Sequence, residues 1–268
     1  MINLLHKFTP DPLLFSLGPV NIRWYGLILV IAMIAGIMSS VYIARRYKIE
    51  RDTILDLSVW VIVGGLLGAR LYEVFLEFSY YASSPISIFK IWEGGLAIHG
   101  GIIGGALALF LFAKRHHYDA LILAAIIVPG LALGQAIGRF ANWFNQELFG
   151  LPTSLPWGIP ISFINRPIGY ESFQYFHPTF LYESLGSLII FFVLIYLINR
   201  FSVLNYRRQM LIVAIYLIAY SLLRFTLEFI KIDPTPMLLG LRWPQIASLI
   251  FIILTATWLS ITLKIRQL

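Results

Sequence analysis

The sequence contains no cysteine and few charged residues for its length. Without cysteine, the 268-residue chain forms no disulfide, no thiolate metal site and no cysteine nucleophile. Only 12% of its residues are charged, against about 25% in an ordinary soluble domain, and 59% are hydrophobic. A soluble fold of this size could not bury that much apolar surface, so a globular cytosolic enzyme and a disordered chain are both excluded. A membrane-embedded protein remains.

A secretory signal peptide is also missing from the first 23 residues. This segment has no basic start, and prolines and a glycine interrupt its apolar pieces. We expect it to be a short arm that lies at the membrane interface, anchored by apolar side chains. The expected anchors are Phe8, Leu13, Leu14 and Phe15.

Long apolar runs dominate the rest of the chain, and seven of them are long enough to cross a membrane. A bilayer core of about 30 Å takes about 20 residues of helix. We therefore predict an all-α polytopic membrane protein with one transmembrane domain. Alternating prolines and aromatic residues predict a small periplasmic head at residues 139–179, with a hairpin around Leu155–Phe163. The predicted spans are Trp24–Ala44, Leu57–Phe75, Gly95–Ala113, Ala120–Gly138, Phe180–Ile198, Met210–Ile230 and Pro244–Leu263.

The net charge of +7 follows the loops, as expected of membrane topology. Eleven of the 20 Lys and Arg residues fall after the first, third and fifth spans or in the C-terminal tail, which carries Lys264 and Arg266. The positive-inside rule places these residues in the cytoplasm. The N-terminus and the head are then outside and the C-terminus is inside, and no nucleic-acid partner is expected.

Ionisable residues within the spans are costly, so each is a candidate for function. Most of them fall towards the predicted outer face. A half-buried arginine cluster suits an anionic group, because a guanidinium binds phosphate as a planar fork with several donors. The anion available at this depth is a phospholipid headgroup. The candidates are Arg70, Glu73, His99, Arg139, His177, Glu183, Arg224 and Glu228.

Several of these features also have structural interpretations. The spacings of Arg224 with Glu228 and of Arg70 with Glu73 are equally consistent with ion pairs tolerated in the bundle. The glycines beside His99 are also typical of close helix packing. A transporter or flippase for an anionic lipid, and a scaffold protein of the bundle type, are the alternatives to an enzyme. The missing internal repeat and the missing polar path to the other face argue against transport.

Residues 138–150, GRFANWFNQELFG, resemble the signature of the bacterial prolipoprotein diacylglyceryl transferase family, roughly G-R-x-[GA]-N-F-x-N-x-E-x-x-G. Trp143 stands where the family usually has Phe, and Ala141 stands for the commoner Gly. The region Lys231–Trp243 does not match the family pattern. Further matching pieces occur in the family's order: Asp11-Pro12, Gly18-Pro19, Trp24-Tyr25-Gly26, Trp92-Glu93-Gly94-Gly95, His99-Gly100-Gly101, His177-Pro178-Thr179, Leu181-Tyr182-Glu183, and Tyr220 with Arg224 and Glu228.

The resemblance implies an enzyme of the bacterial inner membrane. Such an enzyme transfers the sn-1,2-diacylglyceryl group of phosphatidylglycerol to the lipobox cysteine of a preprolipoprotein signal peptide, which forms a thioether and releases glycerol phosphate. The reacting thiol belongs to the substrate, consistent with a chain that has no cysteine. The implied partners are these two substrates and membrane lipid, and no cofactor or metal is implied.

Residue roles follow from the same resemblance. Arg139 is implied to bind phosphatidylglycerol, and Arg139 and Arg224 are expected to stabilise charge on the leaving phosphate. His99 is the candidate base for the thiol, with orientation of the headgroup as the alternative role. Tyr25 and Asn142 complete the expected catalytic set. The other expected substrate-binding residues are Asn145, Glu147, Gly150, Glu228, Gly94 and Gly100.

Overall fold

The computed structural model describes residues 2–18, 20–201 and 203–265. The expectations that involve Met1, Pro19 and Arg266 lie outside these described residues. The chain forms two compact units. The first comprises Met1–Ser39 and Ile127–Leu268, and the second comprises Ser40–Ile126.

Helices account for most of the described chain, and seven of those helices are long and apolar enough to cross a membrane. This confirms the predicted all-α polytopic architecture. Helices suit the bilayer because they satisfy every backbone polar group internally. In chain order the helices are α1 (Ile2–Lys7), α2 (Trp24–Arg46), α3 (Arg51–Leu76), α4 (Phe78–Ser83), α5 (Ile98–Arg115), α6 (Ala120–Phe144), α7 (Thr179–Arg200), α8 (Tyr206–Leu227) and α9 (Trp243–Ile265), of which α1 and α4 are too short to span.

Two of the long helices end more than two residues away from the predicted position. Helix α6 continues six residues beyond Gly138 to Phe144, because aromatic stacking extends it. The ring of Phe144 stacks on Trp24 at 4.7 Å, and the ring of Trp143 stacks on Phe180 at 5.3 Å. Helix α8 ends three residues early, at Leu227.

In the second unit, α3 and α5 pack backbone to backbone. A Cβ atom on Gly68 or Gly100 would collide with the carbonyl oxygen of the other glycine, and Gly104 and Gly64 approach each other in the same way. Small residues at this spacing allow two helices to touch closely in a membrane. The packing interpretation of these glycines is therefore confirmed.

Three two-stranded antiparallel sheets complete the first unit within the described residues. Their strands are β1 (Leu13–Leu17) with β2 (Val20–Arg23), β3 (Ile159–Pro160) with β4 (Tyr175–Phe176), and β5 (Met237–Leu238) with β6 (Leu241–Arg242).

The head packs on the start of α7 through a small core made by Phe149, Ile159, Ile161, Phe176 and Phe180. The hairpin predicted within Leu155–Phe163 is wrong in its pairing, because β3 pairs with β4 further along the chain. The turn signal in that stretch instead forms a tight turn, in which the backbone N–H of Gly158 donates to the carbonyl oxygen of Leu155 at 2.9 Å.

The N-terminal arm consists of α1 and the β1–β2 hairpin, and α1 packs against the head. The ring of His6 stacks on Tyr175 at 3.7 Å, and its Nδ1 lies 3.1 Å from the carbonyl oxygen of Gly158. Three of the four expected anchors, Phe8, Leu13 and Phe15, are exposed. Their insertion into the interface stays a prediction.

Candidate functional site

A cluster of charged side chains lies in the first unit, where the ends of α6 and α8 meet the start of α7. We call it the cationic cluster. Four cations and two fully buried carboxylates make it up, and each cation contacts at least one of the carboxylates. Its members are Arg139, Arg224, Lys231, Arg242, Glu183 and Glu228.

Glu183 is the centre of the cationic cluster and is 1% exposed. Its Oε1 lies 2.7 Å from Nη2 of Arg139 and accepts a hydrogen bond from the hydroxyl of Tyr220 at 3.0 Å. Its Oε2 lies 3.0 Å from Nη1 of Arg224 and 3.6 Å from Nζ of Lys231. A buried carboxylate is tolerated only when it is paired. Glu183 therefore holds three cations at once.

Glu228 forms the second centre, just past the end of α8. Its Oε2 lies 3.2 Å from Nη2 of Arg224, and its Oε1 lies 3.1 Å from Nε of Arg242. The predicted Arg224–Glu228 ion pair is thereby confirmed. Arg242 also contacts Asp233 at 3.1 Å and donates to the carbonyl oxygen of Lys231. Counting Asp233, four cations face three carboxylates, which leaves one net positive charge.

The guanidinium of Arg139 is oriented from two directions. Its Nη1 donates to Oδ1 of Asn142, one turn further along α6, at 3.2 Å. Asn142 in turn donates to Oε1 of Glu147 at 2.7 Å. The side chains of Arg139 and Arg224 are still 22% and 20% exposed, so both can be reached from outside the protein.

Both arginines keep unused donors. A guanidinium carries five N–H groups. Among the described residues, Arg139 donates hydrogen bonds to Asn142 and Tyr220 and forms an ion pair with Glu183. Arg224 donates from two of its N–H groups, to Glu183 and Glu228. The remaining N–H groups can bind the oxygens of an anion.

Tyr25 and Asn145 line an open cavity of about 520 Å³, together with Arg23. The stacking of Trp24 on Phe144 brings the start of α2 against the end of α6. The Oδ1 atom of Asn145 is buried and accepts no hydrogen bond within the described part of the chain. A polar ligand in this cavity would find an unpaired acceptor there.

Gly150 lies where the head packs against the segment after α8. Its N–H donates to the carbonyl oxygen of His177 at 2.9 Å. A Cβ atom at this position would lie 2.8 Å from the carbonyl oxygen of Ile230, so no side chain fits. The geometry gives Gly150 a packing role, and its contact with substrate stays a prediction.

The remaining expected residues belong to the second unit. His99 lies in the first turn of α5, is exposed, and has its ring 6.2 Å from that of Tyr72. Its imidazole makes no hydrogen bond or ion pair to another described residue. The carbonyl oxygen of Gly94 accepts a hydrogen bond from Arg70 at 2.7 Å, and Gly100 forms the close contact with α3 described above.

The Arg70–Glu73 ion pair, one of the two interpretations of the i,i+3 spacing, is wrong. Among the described residues, Arg70 has no carboxylate within ion-pair distance. It donates instead to backbone carbonyl groups of the segment that leads into α5, including those of Ile88 and Gly95.

Burial shifts the pKa of two groups of the first unit, His177 and Lys231, of which Lys231 belongs to the cationic cluster. Burial lowers the pKa of His177, whose Nδ1 lies 3.1 Å from the hydroxyl of Tyr182. Burial also lowers the pKa of Lys231, and the charge of Arg224 acts in the same direction, whereas Glu183 opposes it. The described residues contain no group of three or more His, Asp and Glu side chains that could hold a metal ion.

Sequence reasoning missed Lys231 and Arg242 and assigned no role to Glu183. No motif was recognised in the region Lys231–Trp243. A usable signal existed, because Lys231 follows Glu228 by three residues at a helix end and Arg242 immediately precedes α9.

Comparison with known proteins gives consistent matches. The sequence matches the family described as prolipoprotein diacylglyceryl transferase over residues 12–261. The phosphatidylglycerol–prolipoprotein diacylglyceryl transferase of Synechococcus elongatus is 46% identical over 252 residues, covering 92% of this chain and 86% of the relative. The proteins of the same name from Trichormus variabilis and Gloeobacter violaceus are 45% and 43% identical, covering 90% and 94% of this chain and 86% and 92% of the relatives. The matched range includes the whole cationic cluster as well as His99.

Proposed function

The chain belongs to the prolipoprotein diacylglyceryl transferase family, and from this membership we propose that it transfers a diacylglyceryl group from phosphatidylglycerol to a prolipoprotein. The observation that carries the chemistry is the cationic cluster. Arg139 and Arg224 are partly exposed, have unused N–H donors and share a buried carboxylate. This arrangement suits the anionic headgroup of the lipid substrate.

The acceptor is the thiol of the lipobox cysteine in the signal peptide of the preprolipoprotein. Its sulfur attacks the glycerol carbon of the diacylglyceryl group that carries the phosphate ester. A C–S bond forms and the C–O bond to phosphate breaks, so a thioether and glycerol phosphate result. The thiol proton passes to a base. The enzyme itself has no cysteine that could compete for the lipid.

Arg139 and Arg224 stabilise the charge that grows on the leaving phosphate. Donors that are positioned in advance at such a charge typically contribute a factor of about 10²–10³ each. Glu183 supports this role because it holds both guanidinium groups in place. Glu228 fixes Arg224 from the other side.

His99 is our candidate for the base. A free cysteine thiol has a pKa of about 8.5 and a free imidazole one of about 6.5, so an imidazole can accept the thiol proton near neutral pH. The exposed ring of His99 supports this role, because no described residue occupies its nitrogen atoms. A pH–rate profile of His99→Gln against the natural protein tests it.

The other expected residues act around these groups. Asn142 and Glu147 orient Arg139 or bind the glycerol hydroxyl groups, supported by their hydrogen bond of 2.7 Å. Tyr25 and Asn145 contact the lipid headgroup from the cavity that they line. The three glycines shape the surroundings, Gly94 and Gly100 before and within α5 and Gly150 at the start of the head.

The protein is a multi-pass membrane protein, and we assign it to the bacterial inner membrane. The positive-inside rule supports an N-terminus and a head in the periplasm and a C-terminus in the cytoplasm. The lipobox cysteine then meets the enzyme at the outer face.

Incubation of the purified protein in vesicles tests the function. The vesicles contain phosphatidylglycerol with a labelled diacylglyceryl group, and a lipobox peptide is added. We expect labelled peptide and glycerol phosphate in equal amounts, and no labelled peptide when the cysteine is replaced by serine. A flippase would move the lipid between leaflets without labelling the peptide. Unlabelled peptide under these conditions would contradict the proposal.

A further inference from the structure

Arg70 is a buried arginine of α3 that the proposed chemistry does not use. Its side chain lies inside the second unit, and the residue is 6% exposed. All five of its N–H groups have backbone carbonyl acceptors, which is the full capacity of a guanidinium. Nε donates to the carbonyl oxygen of Ile88 at 2.9 Å, and Nη1 donates to those of Gly94 at 2.7 Å and Gly95 at 2.8 Å. Nη2 donates to the carbonyl oxygens of Lys90 at 3.3 Å and of Ser87.

The guanidinium of Arg70 is stabilised by backbone carbonyl groups and an aromatic ring. Within the described part of the chain no carboxylate lies within ion-pair distance of it. The guanidinium carbon lies 5.0 Å from the ring centroid of Tyr81, which adds a cation–π contact. A buried charge without such partners would be strongly unfavourable. Arg70 therefore has no donor left for a substrate.

The segment that Arg70 holds, residues 84–97, connects α4 to α5 and has little regular structure. It contains two short 3₁₀ turns, Pro85–Phe89 and Ile91–Glu93. Two glycines with positive φ follow, Gly94 at 93° and Gly95 at 70°. We call residues 84–97 the connecting loop.

The connecting loop is fitted closely onto α3. A Cβ atom on Gly95 would lie 2.7 Å from Nη1 of Arg70 and 2.8 Å from the hydroxyl of Tyr81, and the φ of 70° also favours glycine there. The N–H of Ala97 donates to the carbonyl oxygen of Ala69, the residue before Arg70, at 3.2 Å. The start of α5 at Ile98 is thereby fixed relative to α3.

His99 is the second residue of α5, so its position depends on where the helix begins. We infer that Arg70 is a positioning residue, which holds the connecting loop against α3 and so orients the imidazole of His99. The inference rests on the proposed function, because it takes its consequence from the role of His99 as the base.

The geometry explains why an arginine is needed. Lysine keeps the positive charge but has only three N–H donors and no planar fork. Arg70→Lys therefore leaves at least two of the five carbonyl groups without a donor. This variant separates the geometry of the side chain from its charge.

Loop mobility can be measured without any assay of activity. The chain has no cysteine, so one introduced cysteine carries a nitroxide label at a unique position. Phe89→Cys reports the connecting loop and Ile103→Cys reports α5, and both residues are well exposed. We expect Arg70→Lys to sharpen the spin-label spectrum at position 89 and leave that at position 103 unchanged. An unchanged spectrum at position 89 would overturn the inference.

Kinetics then test the link to His99. We expect Arg70→Lys to lower kcat about 10- to 100-fold, as misplaced catalytic groups do, and to alter the pH–rate profile, with KM for phosphatidylglycerol nearly unchanged. The double variant Arg70→Lys/His99→Gln should be no slower than His99→Gln alone. Losses that multiply would mean that Arg70 acts independently of His99, which overturns the inference. Arg51→Lys, at an exposed position of the same helix, is the matched control with full activity.

Two further results distinguish a failure of this inference from a failure of the proposed function. Full turnover of His99→Gln would refute the proposed base role, and the label at position 89 would still decide whether Arg70 holds the loop. If Arg70→Lys does not fold, Gly95→Ala replaces it, because its new Cβ would collide with Nη1 of Arg70 and so displace the loop from the guanidinium. A Gly95→Ala protein with an unchanged spectrum and unchanged kcat would overturn the inference.

Discussion

Arg139 and Arg224 of the first unit and Arg70 of the second unit are held by different kinds of partner. In the first unit, Arg139 and Arg224 are paired with carboxylates, keep unused donors and are about one-fifth exposed. In the second unit, Arg70 is buried and all its donors are bound to backbone carbonyl groups. The number of unused donors thus distinguishes an arginine that can bind an anion from one that holds the chain.

The kind of partner also determines how easily a bound anion can take that partner's place on the guanidinium. A carboxylate and a phosphate present similar pairs of oxygens to a guanidinium, so Arg139 and Arg224 can contact a headgroup while Glu183 still pairs with Lys231. The carbonyl acceptors of Arg70 all belong to the connecting loop. Their release would require the connecting loop to move.

The largest effect is expected from Glu183→Gln. The amide keeps the shape of the side chain and removes the negative charge that three cations share. Loss of one partner from a buried ion pair typically costs about 3–5 kcal/mol. We expect a loss of stability of this order in thermal unfolding in detergent, whereas Glu50→Gln, at an exposed position, should change little. Unchanged stability would show that the first unit does not depend on carboxylate pairing.

Arg139→Ala should come next, with an effect on catalysis. We expect kcat/KM for lipid transfer to fall about 10²- to 10³-fold, equivalent to about 2.7–4 kcal/mol. The protein should still insert and fold, because Glu183 keeps Arg224 and Lys231 as partners. The measurement is peptide lipidation by equal amounts of membrane-inserted protein, with the exposed Arg45→Ala as control. Full activity of Arg139→Ala would exclude the headgroup role.

Much of this architecture could be predicted from the sequence, because a bilayer demands apolar runs of about 20 residues. All seven spans are found, most of them within a few residues of the expected bounds. The end of α6 was missed, since no local signal shows that Phe144 stacks on Trp24, which is remote in the sequence. This error matters, because it moves Arg139 and Asn142 from the head onto the helix.

The partner of each charged residue was harder to predict than the transmembrane spans. The i,i+4 spacing correctly indicated Glu228 as the partner of Arg224. The i,i+3 spacing indicated Glu73 for Arg70, which instead donates to backbone carbonyl groups. The actual acceptors of Arg70 are carbonyl groups at least 17 residues away, which have no side-chain signature. Spacing describes neighbours on one helix, whereas a buried charge takes its partners from every element packed around it.

Lys231→Met should have a smaller effect, which tests whether the net charge of the cationic cluster contributes to binding phosphatidylglycerol. Lys231 makes the longest contact to Glu183, at 3.6 Å, and Glu183 keeps two arginines without it. The substitution removes the net positive charge of the cluster. We expect KM for phosphatidylglycerol to rise about three- to fivefold, equivalent to about 1 kcal/mol, with kcat and Tm little changed. Lys231→Arg should restore KM, and an unchanged KM in Lys231→Met would show that the net charge does not matter.

The smallest effect concerns His177, which is partly buried in the first unit beside the cationic cluster. The indole N–H of Trp157 donates to the hydroxyl oxygen of Tyr182 at 2.8 Å, which leaves the Tyr182 O–H free to donate to Nδ1 of His177 at 3.1 Å. This arrangement suits a neutral imidazole, in agreement with the pKa of His177 being lowered by burial.

The sign of the pH dependence follows from proton counting. A histidine with a lowered pKa binds fewer protons in the folded state than in the unfolded chain, so the free energy of unfolding rises with pH. The contribution of His177 is therefore present above its ordinary pKa of about 6.5 and is lost as the pH falls through the lowered value. We expect Tm to fall by at most about 4 °C between pH 8 and pH 5 on this account, and by less in His177→Gln. If Tm falls equally in both proteins, the pH dependence comes from other groups and His177 does not contribute to stability.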